Sequence, residues 1–327
     1  MGGVSMEWKE DVLGNVLEVK YGKDHKKLAD GQYPVYGSGG LMRYVDSKLY
    51  DGPSILIPRK GTLNNIMFVE SPFWTVDTMF WSIINTDKVD PKFLFYSICK
   101  RDFASMNVGS AVPSMTVNIL NDIQISYPKN IEDQRRIASI LSSLDRKIEL
   151  NNKINADLEE MAQAIFKNWF VDFEPFKDGK FVDSELGMIP EGWKVGCLGD
   201  IAEITSGKRP PKKSKDKTKE LFIPLIGASD IMGFTSDVLY ERPILVIGRV
   251  GTHGVVQRFQ EKCWPSDNTL VIESSYYNYV YQLLKGIDYS AINRGSTQPL
   301  ITQTDVKNTD VIIVVPLYEV YFFALFF

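Results

Sequence analysis

An internal repeat restricts the fold of this 327-residue chain more than any other feature of its sequence. The motif LGNVLEVKYGK at residues 13–23 returns as LGDIAEITSGK at residues 198–208. Three more segments recur in the same order: YPVYGSGG (33–40) with IPLIGASD (223–230), residues 55–80 with residues 245–270, and GSAVPSMT (109–116) with GSTQPLIT (295–302). Because self-similarity of this kind indicates a duplicated structural unit, we predict that one domain occurs twice.

Each copy alternates short runs rich in Ile, Val, Phe, Tyr and Trp with Gly and Pro turns, which is typical of strands joined by tight turns. One helix per copy is expected, near residues 91–106 in the first and 276–286 in the second. Both copies close on a strand followed by proline, DIQISYP (122–128) and DVIIVVP (310–316). The sequence therefore predicts an α+β fold class with two repeated mixed α/β domains.

Between the copies, residues 135–170 contain neither Gly nor Pro and have apolar residues at heptad spacing. This pattern predicts one long helix that packs along a single stripe, and Asn130 is placed to cap its first turn. From residue 131 to residue 167 the helix would measure roughly 55 Å. An ordinary core helix is the plain alternative, but few core helices are this long, so we favour a spacer or docking helix.

The composition is that of a globular protein, with 44% hydrophobic residues. Cys99, Cys197 and Cys263 lie far apart, which argues for a reducing compartment and against a disulfide framework or zinc site. Two histidines are too few for a metal cluster, and the first residues lack the apolar run of a secretion signal. We therefore expect a cytoplasmic protein without a metal site.

Catalytic motifs are missing from the sequence. It has no P-loop, no GxGxxG opening a helix, no HExxH, no GxSxG, and no tetrapeptide in which Asp, Asn or Ser precedes Pro-Pro-Tyr or Pro-Pro-Phe, the motif expected of an amino-methyltransferase. Asp11 with Glu18 and Lys20 superficially resembles a nuclease metal site, but the second copy replaces the lysine by Thr205. No further acid or histidine is placed to complete a metal shell, so we expect no catalytic residue.

Basic residues cluster in loops although the net charge is −4. The densest cluster is GKRPPKKSKDKTKE at residues 207–220, with seven Lys or Arg against two acids. A solvated surface is the plain interpretation, and phosphate contact is the other, because flexible cations neutralise a nucleic-acid backbone. PRKGT (58–62) and GRVGT (248–252) place a base beside Gly-Thr after a strand, and the two GS loops are able to approach a phosphate or base edge closely.

Taken together, these features make the chain resemble the specificity subunit of a type I restriction-modification system. The resemblance rests on the LGN and LGD openings, the GSGG and GAS turns, the GT loops, and above all on two stretches: NIEDQRRIASILSSLDRKIELNNKINADLEEMAQAIFKNWFVDFEPF (130–176) and LGMIPEGWKVGCLGDIAEITSGKRP (186–210). It covers nearly everything from Trp8 to Pro316. It implies two target-recognition domains, each reading one half of a split DNA sequence, held apart by a long coiled-coil-type helix.

The resemblance also implies partners and cofactors. Double-stranded DNA is the expected ligand, and the helix would bind methyltransferase subunits that methylate adenine. A restriction subunit that translocates and cuts would meet the chain only indirectly, and no membrane contact is expected. S-adenosylmethionine, ATP and Mg would belong to those partners, so the chain should hold no cofactor. A helix of roughly 55 Å spans about one and a half turns of B-DNA, which suits half-sites separated by unread base pairs.

We expect two sets of functional residues. The side chains near DNA are Arg59, Lys60, Thr62 and Ser110 in the first copy, and Lys208, Arg209, Lys212, Lys213, Arg249, Thr252, His253 and Ser296 in the second, with the lysine-rich loop on phosphates. The partner-binding residues on the helix are Ile137, Leu141, Leu144, Ile148, Asn151, Asn155, Leu158 and Ile165. Which side chain enters a groove stays open, so the recognised DNA sequence cannot be read.

We divide the chain into residues 1–130 (first target-recognition domain), 131–170 (spacer helix), 171–192 (linker), 193–316 (second target-recognition domain) and 317–327 (apolar tail). The tail stands where complete members of the resembled family carry a second, antiparallel helix, so we expect a truncated or altered C-terminus. Without that mate, Ile137, Leu141, Leu144 and Ile148 would lie exposed in a monomer. We predict that a second copy of the chain or a methyltransferase helix covers them.

Two other functions stay open from the sequence. The chain would be an adaptor dimer that does not bind DNA if the helix only oligomerises. It would instead be a regulatory or assembly-defective specificity subunit if it binds DNA or competes for the methyltransferase without supporting cleavage. Sequence preference in DNA binding separates the first alternative from the leading hypothesis, and the number of methyltransferase subunits per chain separates the second.

Overall fold

The computed structural model describes residues 6–109, 112–251, 254–295 and 300–314. The chain folds into two compact units, Met1–Ile154 and Asn155–Phe327. The division between the units falls inside the central helix, so each unit includes part of that helix. Within the described ranges, none of the helices has the length and apolar character needed to cross a membrane.

The first unit is built from two sheets, a strand pair and short helices. Its elements are β1 (Trp8–Val12), β2 (Leu17–Tyr21), β3 (Tyr33–Gly37), β4 (Gly40–Val45), β5 (Ser54–Pro58), β6 (Met67–Val69), β7 (Trp74–Thr75), β8 (Met79–Ile84), α1 (Pro91–Ile98), α2 (Val117–Asn121) and β9 (Gln124–Pro128). One sheet has the strand order β2-β8-β5-β6, the other has the order β4-β3-β7, and β1 pairs with β9. Only the β3–β7 pair is parallel among these strands.

Strand β5 separates the two cores of this unit. Its sequence, SILIP, is buried throughout. Ile55 and Ile57 belong to the larger core, which includes α1, whereas Leu56 belongs to a smaller core with Phe73 and Trp81. Successive strand side chains point to opposite faces, so an uninterrupted apolar run is what a strand buried on both faces requires.

The central helix, α3 (Ile131–Phe170), is 40 residues long, and it confirms the predicted long helix. Asn130 Oδ1 accepts a hydrogen bond from the backbone N–H of Glu132 at 2.9 Å, as the predicted N-cap requires. Acidic residues in the first turn favour the helix dipole. After the helix ends, Phe173 adopts a left-handed φ of 55° and a 3₁₀ turn follows at Glu174–Phe176. At 1.5 Å per residue the helix measures about 60 Å.

Apart from an additional strand pair, β10–β11, the second unit repeats the strands of the first. Its elements are β10 (Phe181–Val182), β11 (Ile189–Pro190), β12 (Lys194–Cys197), β13 (Glu203–Ser206), β14 (Ile223–Ile226), β15 (Ile231–Thr235), β16 (Ile244–Gly248), β17 (Val256–Phe259), β18 (Trp264–Pro265), β19 (Thr269–Glu273), α4 (Tyr277–Gly286), α5 (Gln303–Lys307) and β20 (Asp310–Ile313). The strand orders are β13-β19-β16-β17, β15-β14-β18 and β12-β20. Because each order matches its counterpart in the first unit, the predicted duplication is confirmed.

Candidate DNA interface and partner-binding helix

The turn after β5 carries an arginine that is fixed by its backbone on both sides. The N–H of Arg59 donates to Thr78 O at 2.8 Å, and its carbonyl accepts a hydrogen bond from the N–H of Met115 at 2.9 Å. The turn after β16 has the equivalent bonds, Arg249 N to Asn268 O and Ile301 N to Arg249 O, both at 2.9 Å. Both copies therefore hold the predicted arginine at the same point of the fold.

A glycine in this turn allows it to lie against the GS loop. Gly61 has a φ of +86° and Gly251 has a φ of +80°, a left-handed conformation that strains other residues. The N–H of Gly61 donates to Pro113 O at 3.2 Å, and Lys60 pairs with Ser114 in an isolated bridge. The structure thus brings the Arg-x-Gly turn (residues 59–61) and the GS loop (residues 109–116) together, a contact that the sequence did not predict.

An asparagine that sequence reasoning missed organises the GS loop in each copy. Asn107 Oδ1 accepts hydrogen bonds from Gly109 N at 2.8 Å and Ser114 N at 2.7 Å, and Asn107 Nδ2 donates to Gly109 O at 2.9 Å. The second copy has the same three bonds: Asn293 Oδ1 with Gly295 N (3.0 Å) and Leu300 N (2.9 Å), and Nδ2 with Gly295 O (3.1 Å). One side chain pins both ends of the loop. The repeated NVGS and NRGS spacing is the signal that could have revealed it.

The two arginine side chains have different surroundings. The guanidinium of Arg59 lies 5.3 Å from the ring centre of Tyr21 and donates to Asp77 O at 3.3 Å. Arg249 Nε is buried, and within the described residues it has no hydrogen-bond partner. A buried donor without a partner costs free energy, so the two arginine side chains differ in how fully the described residues satisfy them.

The basic loops begin beside the same turn in both copies. Trp74 Nε1 donates to Lys23 O at 2.9 Å, and Trp264 Nε1 donates to Lys208 O at 2.7 Å, so the repeated tryptophan fixes the start of each loop. The N–H of Lys23 also donates to Thr75 O at 2.9 Å, in the segment whose Thr78 carbonyl holds the Arg59 turn. The lysine loop and the arginine turn are therefore linked through one short segment.

The remaining predicted DNA contacts fall into two groups. Five are exposed side chains of the described chain: Lys60, Thr62, Arg209, Lys212 and Lys213. Lys208 is exposed as well, although its carbonyl is bonded to tryptophan. Four predicted contacts lie outside the described residues: Ser110, Thr252, His253 and Ser296.

The predicted partner-binding stripe of α3 is exposed over most of its length. Its exposed members are Leu141, Leu144, Ile148, Asn151, Asn155, Leu158 and Ile165, and the apolar side chains of Ile140, Ile154 and Met161 widen the stripe. Every residue from 143 to 158 is exposed. The prediction that Ile137 would be exposed is wrong. This residue lies in the second turn of the helix and is half-buried against the core of the first unit.

The first unit holds its part of the helix through a buried amide and a tyrosine. Gln134 is fully buried; its Oε1 accepts from Asp90 N at 2.8 Å, and its Nε2 donates to Pro128 O at 2.7 Å. Farther along, the hydroxyl of Tyr96 donates to Asp145 Oδ2 at 2.6 Å. Burial and this carboxylate raise the pKa of Tyr96, which keeps its hydroxyl protonated as a donor.

The second unit holds its part of the helix through a charged network. Glu159 Oε1 accepts hydrogen bonds from Tyr281 OH at 3.1 Å, Lys285 Nζ at 2.9 Å and Gln163 Nε2 at 3.2 Å. Burial alone raises the pKa of the Glu159 carboxyl, but the hydrogen bonds, led by that of Lys285, outweigh it, and the net shift is downward. The carboxylate is therefore the stable form at neutral pH.

Aromatic packing secures the end of the helix in the second unit. Phe170 is almost fully buried and stacks on Trp193 with ring centres 5.8 Å apart. Phe166 and Tyr279 belong to the same cluster, with ring centres 5.6 Å apart. Aromatic pairs of this kind stabilise beyond the area that they bury.

The carboxylate that resembled a nuclease site has structural partners. Asp11 accepts hydrogen bonds from Asn15 Nδ2 at 2.6 Å and Tyr127 OH at 3.1 Å, and it forms an ion pair with Lys9 at 2.8 Å. These contacts, led by that of Lys9, hold the pKa of Asp11 well below its usual range. Within the described residues, no group of three or more His, Cys, Asp or Glu could hold a metal ion.

Comparison with known proteins assigns a family to this duplicated fold. The family model for the type I restriction modification DNA specificity domain matches residues 6–160 and 190–319. The type I restriction enzyme MjaIX specificity subunit of Methanocaldococcus jannaschii is 30% identical over 88% of this chain and 74% of its own length. The HindI specificity subunit of Haemophilus influenzae is 26% identical over 46% of this chain and 47% of its own length.

A solved structure agrees with the fold. The crystal structure of a type I restriction-modification S subunit from M. genitalium has a TM-score of 0.63 and 15% identity, covering 98% of this chain and 90% of that chain. The family match covers both copies of the repeat and most of the central helix. On this ground the chain belongs to the type I restriction-modification DNA specificity family.

Proposed function

We propose that this chain is the non-catalytic specificity subunit of a type I restriction-modification complex, and that each repeated domain reads one half of a bipartite DNA target. The duplication carries the proposal: two domains with one strand order, both matched by the DNA specificity family, share one 40-residue helix. Paired reading domains suit targets with two half-sites at fixed spacing. Because their loops differ in sequence, the half-sites should differ as well.

In each domain, the proposed DNA surface is the Arg-x-Gly turn, the GS loop and the basic loop. The contacts are Arg59, Lys60, Thr62 and Ser110 in the first domain, and Lys208, Arg209, Lys212, Lys213, Arg249, Thr252, His253 and Ser296 in the second. The hydrogen bonds that join turn, loop and tryptophan support one continuous surface in each copy. Lysines would neutralise phosphates, which gives affinity, while arginine and loop amides suit base edges, which give specificity.

The exposed stripe of α3 is the proposed binding site for a helix of the methyltransferase subunit. Leu141, Leu144, Ile148, Leu158 and Ile165 have the spacing of a coiled-coil seam and are exposed. Contiguous exposed apolar surface of this kind marks an interaction site. The relatives are named as specificity subunits of restriction enzymes, which favours another subunit of such an enzyme over a second copy of this chain.

Chemistry would then reside in the partners. The methyltransferase would bring S-adenosylmethionine to adenine, and a restriction subunit would use ATP and Mg. The role of this chain would be geometric: a helix of about 60 Å corresponds to roughly one and a half to two turns of B-DNA. The spacing between half-sites would follow from the length of that helix.

Methylation mapping tests the DNA function. The chain and its methyltransferase are co-expressed in a host without adenine methylation, and methylated adenines are located by sequencing. The expected motif has two defined half-sites separated by a constant number of unread base pairs. A short continuous motif, or methylation without sequence preference, contradicts the proposal.

Charge substitution tests the helix. Leu144→Lys with Ile148→Lys should abolish copurification of the methyltransferase, because two ammonium groups would be buried in an apolar seam. Ser143→Lys adds charge at an exposed position outside the heptad stripe and should leave copurification intact. If a second copy of the chain occupies the stripe instead, the wild-type chain alone sediments as a dimer that the double variant dissociates.

A further inference from the structure

Both copies expose an apolar pair at the same point of the fold. In the β3–β4 hairpin, Leu41 is 51% exposed and Met42 is 57% exposed. In the β14–β15 hairpin, Ile231 is 45% exposed and Met232 is 47% exposed. Single exposed apolar residues are common on protein surfaces, but an adjacent pair exposed at the same point in both copies is a candidate contact surface.

Each hairpin is held beside the proposed DNA surface of its own copy. Asn65 Nδ2 donates to Ser38 O at 2.8 Å, and a Cβ built on Gly61 would lie 3.1 Å from Ser38 Oγ. The hairpin tip therefore touches the Arg-x-Gly turn of the first domain. In the second domain a different bond holds the hairpin: Gln257 Nε2 of β17, the strand that follows the arginine turn, donates to Gly227 O at 2.9 Å.

The methionines are packed over the hairpin glycines rather than extended freely into solvent. A Cβ built on Gly37 would lie 2.6 Å from Met42 Sδ, and one built on Gly227 would lie 3.5 Å from Met232 Sδ. The side chains therefore have a defined position although their outer surfaces are exposed. A positioned apolar surface discriminates between partners better than a mobile one, because less entropy is lost on binding.

Basic loops run along the outer strand of both hairpins. In the second copy, Ser214 and Phe234 of β15 exchange backbone hydrogen bonds at 2.9 and 2.8 Å, which places the lysine-rich segment along that strand. In the first copy, Arg43 of β4 donates to Leu28 O at 2.8 Å, directly after the Lys26-Lys27 pair. Apolar side chains flanked by cations match DNA, whose bases offer apolar surface between two lines of phosphates.

We infer that the pairs Leu41-Met42 and Ile231-Met232 contact bases directly, each in one half-site, and that they contribute sequence preference through apolar contact. The inference rests on the proposed function and extends it to residues that are neither charged nor hydrogen-bonding. DNA presents such surface at thymine methyl groups and at base steps that a side chain can wedge apart. The residue before each pair differs, Gly40 in one and Asp230 in the other, which suits unlike half-sites.

The test replaces each pair in the full chain bound to its methyltransferase. The variants are Leu41→Ser with Met42→Ser, and Ile231→Ser with Met232→Ser, and each is selected against a pool of randomised DNA duplexes. Each variant should lose preference in one half-site only, a different one for each, and bind the wild-type motif about tenfold more weakly. The slope of affinity against salt concentration should not change, because no phosphate contact is removed.

A charge variant serves as the matched control. Lys212→Ala with Lys213→Ala should weaken binding to all sequences and lower the salt slope by about two, without altering either half-site. The inference is overturned if both serine variants keep the wild-type motif. If the variants also lose the methyltransferase, the pairs contact protein instead of DNA. If the wild-type chain selects no bipartite motif, the proposed function fails together with the inference.

Discussion

The two copies of the repeat share a sheet scaffold but differ in the chemistry that joins the edge strand of one sheet to the neighbouring helix. In the first copy, Phe68 of β6 stacks on Phe95 of α1 with ring centres 5.6 Å apart. In the second, the corresponding strand and helix carry Arg258 and Tyr281, and the guanidinium lies 4.9 Å from the ring centre. An apolar stack in one copy is thus replaced by a cation–π contact in the other.

The difference separates what the fold requires from what it tolerates. The backbone bonds of the arginine turn, the asparagine-pinned loop and the tryptophan at the basic loop recur in both copies. The contact between this strand and helix changes from an aromatic stack to a cation–π pair, and the attachments of the central helix differ as well. We therefore expect substitutions in the shared elements to act alike in both copies, and substitutions at the helix attachments to act differently.

The largest effect is expected at the aromatic attachment of the second copy. Phe170→Ala should lower the free energy of unfolding by about 3–4 kcal/mol, because it removes a buried ring that stacks on Trp193. Urea denaturation followed by tryptophan fluorescence measures the change. Leu150→Ala, at an exposed position of the same helix, is the control and should change stability by less than about 0.5 kcal/mol. If the two variants lower the stability equally, the aromatic cluster does not secure the helix.

The next effect is expected at the buried amide of the first copy. Gln134→Ala should cost about 2 kcal/mol, because Asp90 N and Pro128 O would lose their partner inside the protein. Hydrogen exchange of the first turns of α3 should accelerate, while exchange in the aromatic cluster of the second copy should not. Gln134→Glu keeps the size of the side chain and tests whether the amide donor is what matters. Unchanged exchange at the helix start would contradict this attachment.

Much of this architecture could be predicted from the sequence. The repeat, the strand-rich copies and the uninterrupted helix all rest on local patterns: glycine and proline spacing, runs of β-branched residues, and a heptad series. The repeat also predicted that Arg59 and Arg249 occupy equivalent positions, and the backbone hydrogen bonds of the two turns agree with this. Local signals suffice for these features because each is determined by neighbours along the chain.

The missed features depend on contacts between distant segments. Glu159 accepts hydrogen bonds from Tyr281 and Lys285, which are more than a hundred residues away in the sequence. No local sequence pattern predicts such contacts. Ile137 belongs to the heptad series, but it packs against the core of the first unit. The series alone does not show how far that unit covers the helix. Asn107 and Asn293 stand at a repeated spacing in the sequence, but only the three backbone hydrogen bonds that each makes explain why an asparagine is needed there.

The asparagine clamp tests the shared scaffold. Asn107→Ala and Asn293→Ala should each cost about 1 kcal/mol, because two loop N–H groups lose their acceptor, and each should weaken binding in its own half-site. Thermal unfolding and selection from a randomised duplex pool measure the two effects. Asn107→Asp retains the accepting oxygen and should be milder. Markedly different costs in the two copies would break the claim that this element is common to both.

The smallest effect is expected at the charged attachment of the second copy. Glu159→Gln keeps the shape of the side chain but removes its charge, and should cost less than about 1 kcal/mol at pH 7, because the ion pair with Lys285 is partly exposed. The effect should also shrink in high salt, which screens the pair. Tyr96→Phe is the comparison in the first copy: it removes one hydroxyl and should show no such salt dependence.

The same variant should reveal its origin through pH. The pKa of Glu159 is lowered in the folded chain, so its stabilisation is complete above the ordinary carboxyl value of 4.5 and is lost as the pH falls below it. The difference in unfolding free energy between wild type and Glu159→Gln should therefore be constant near neutral pH and vanish in acid. Urea denaturation at a series of pH values measures it. A difference that persists in acid would mean that shape rather than charge secures the helix, and the two attachments would then be alike.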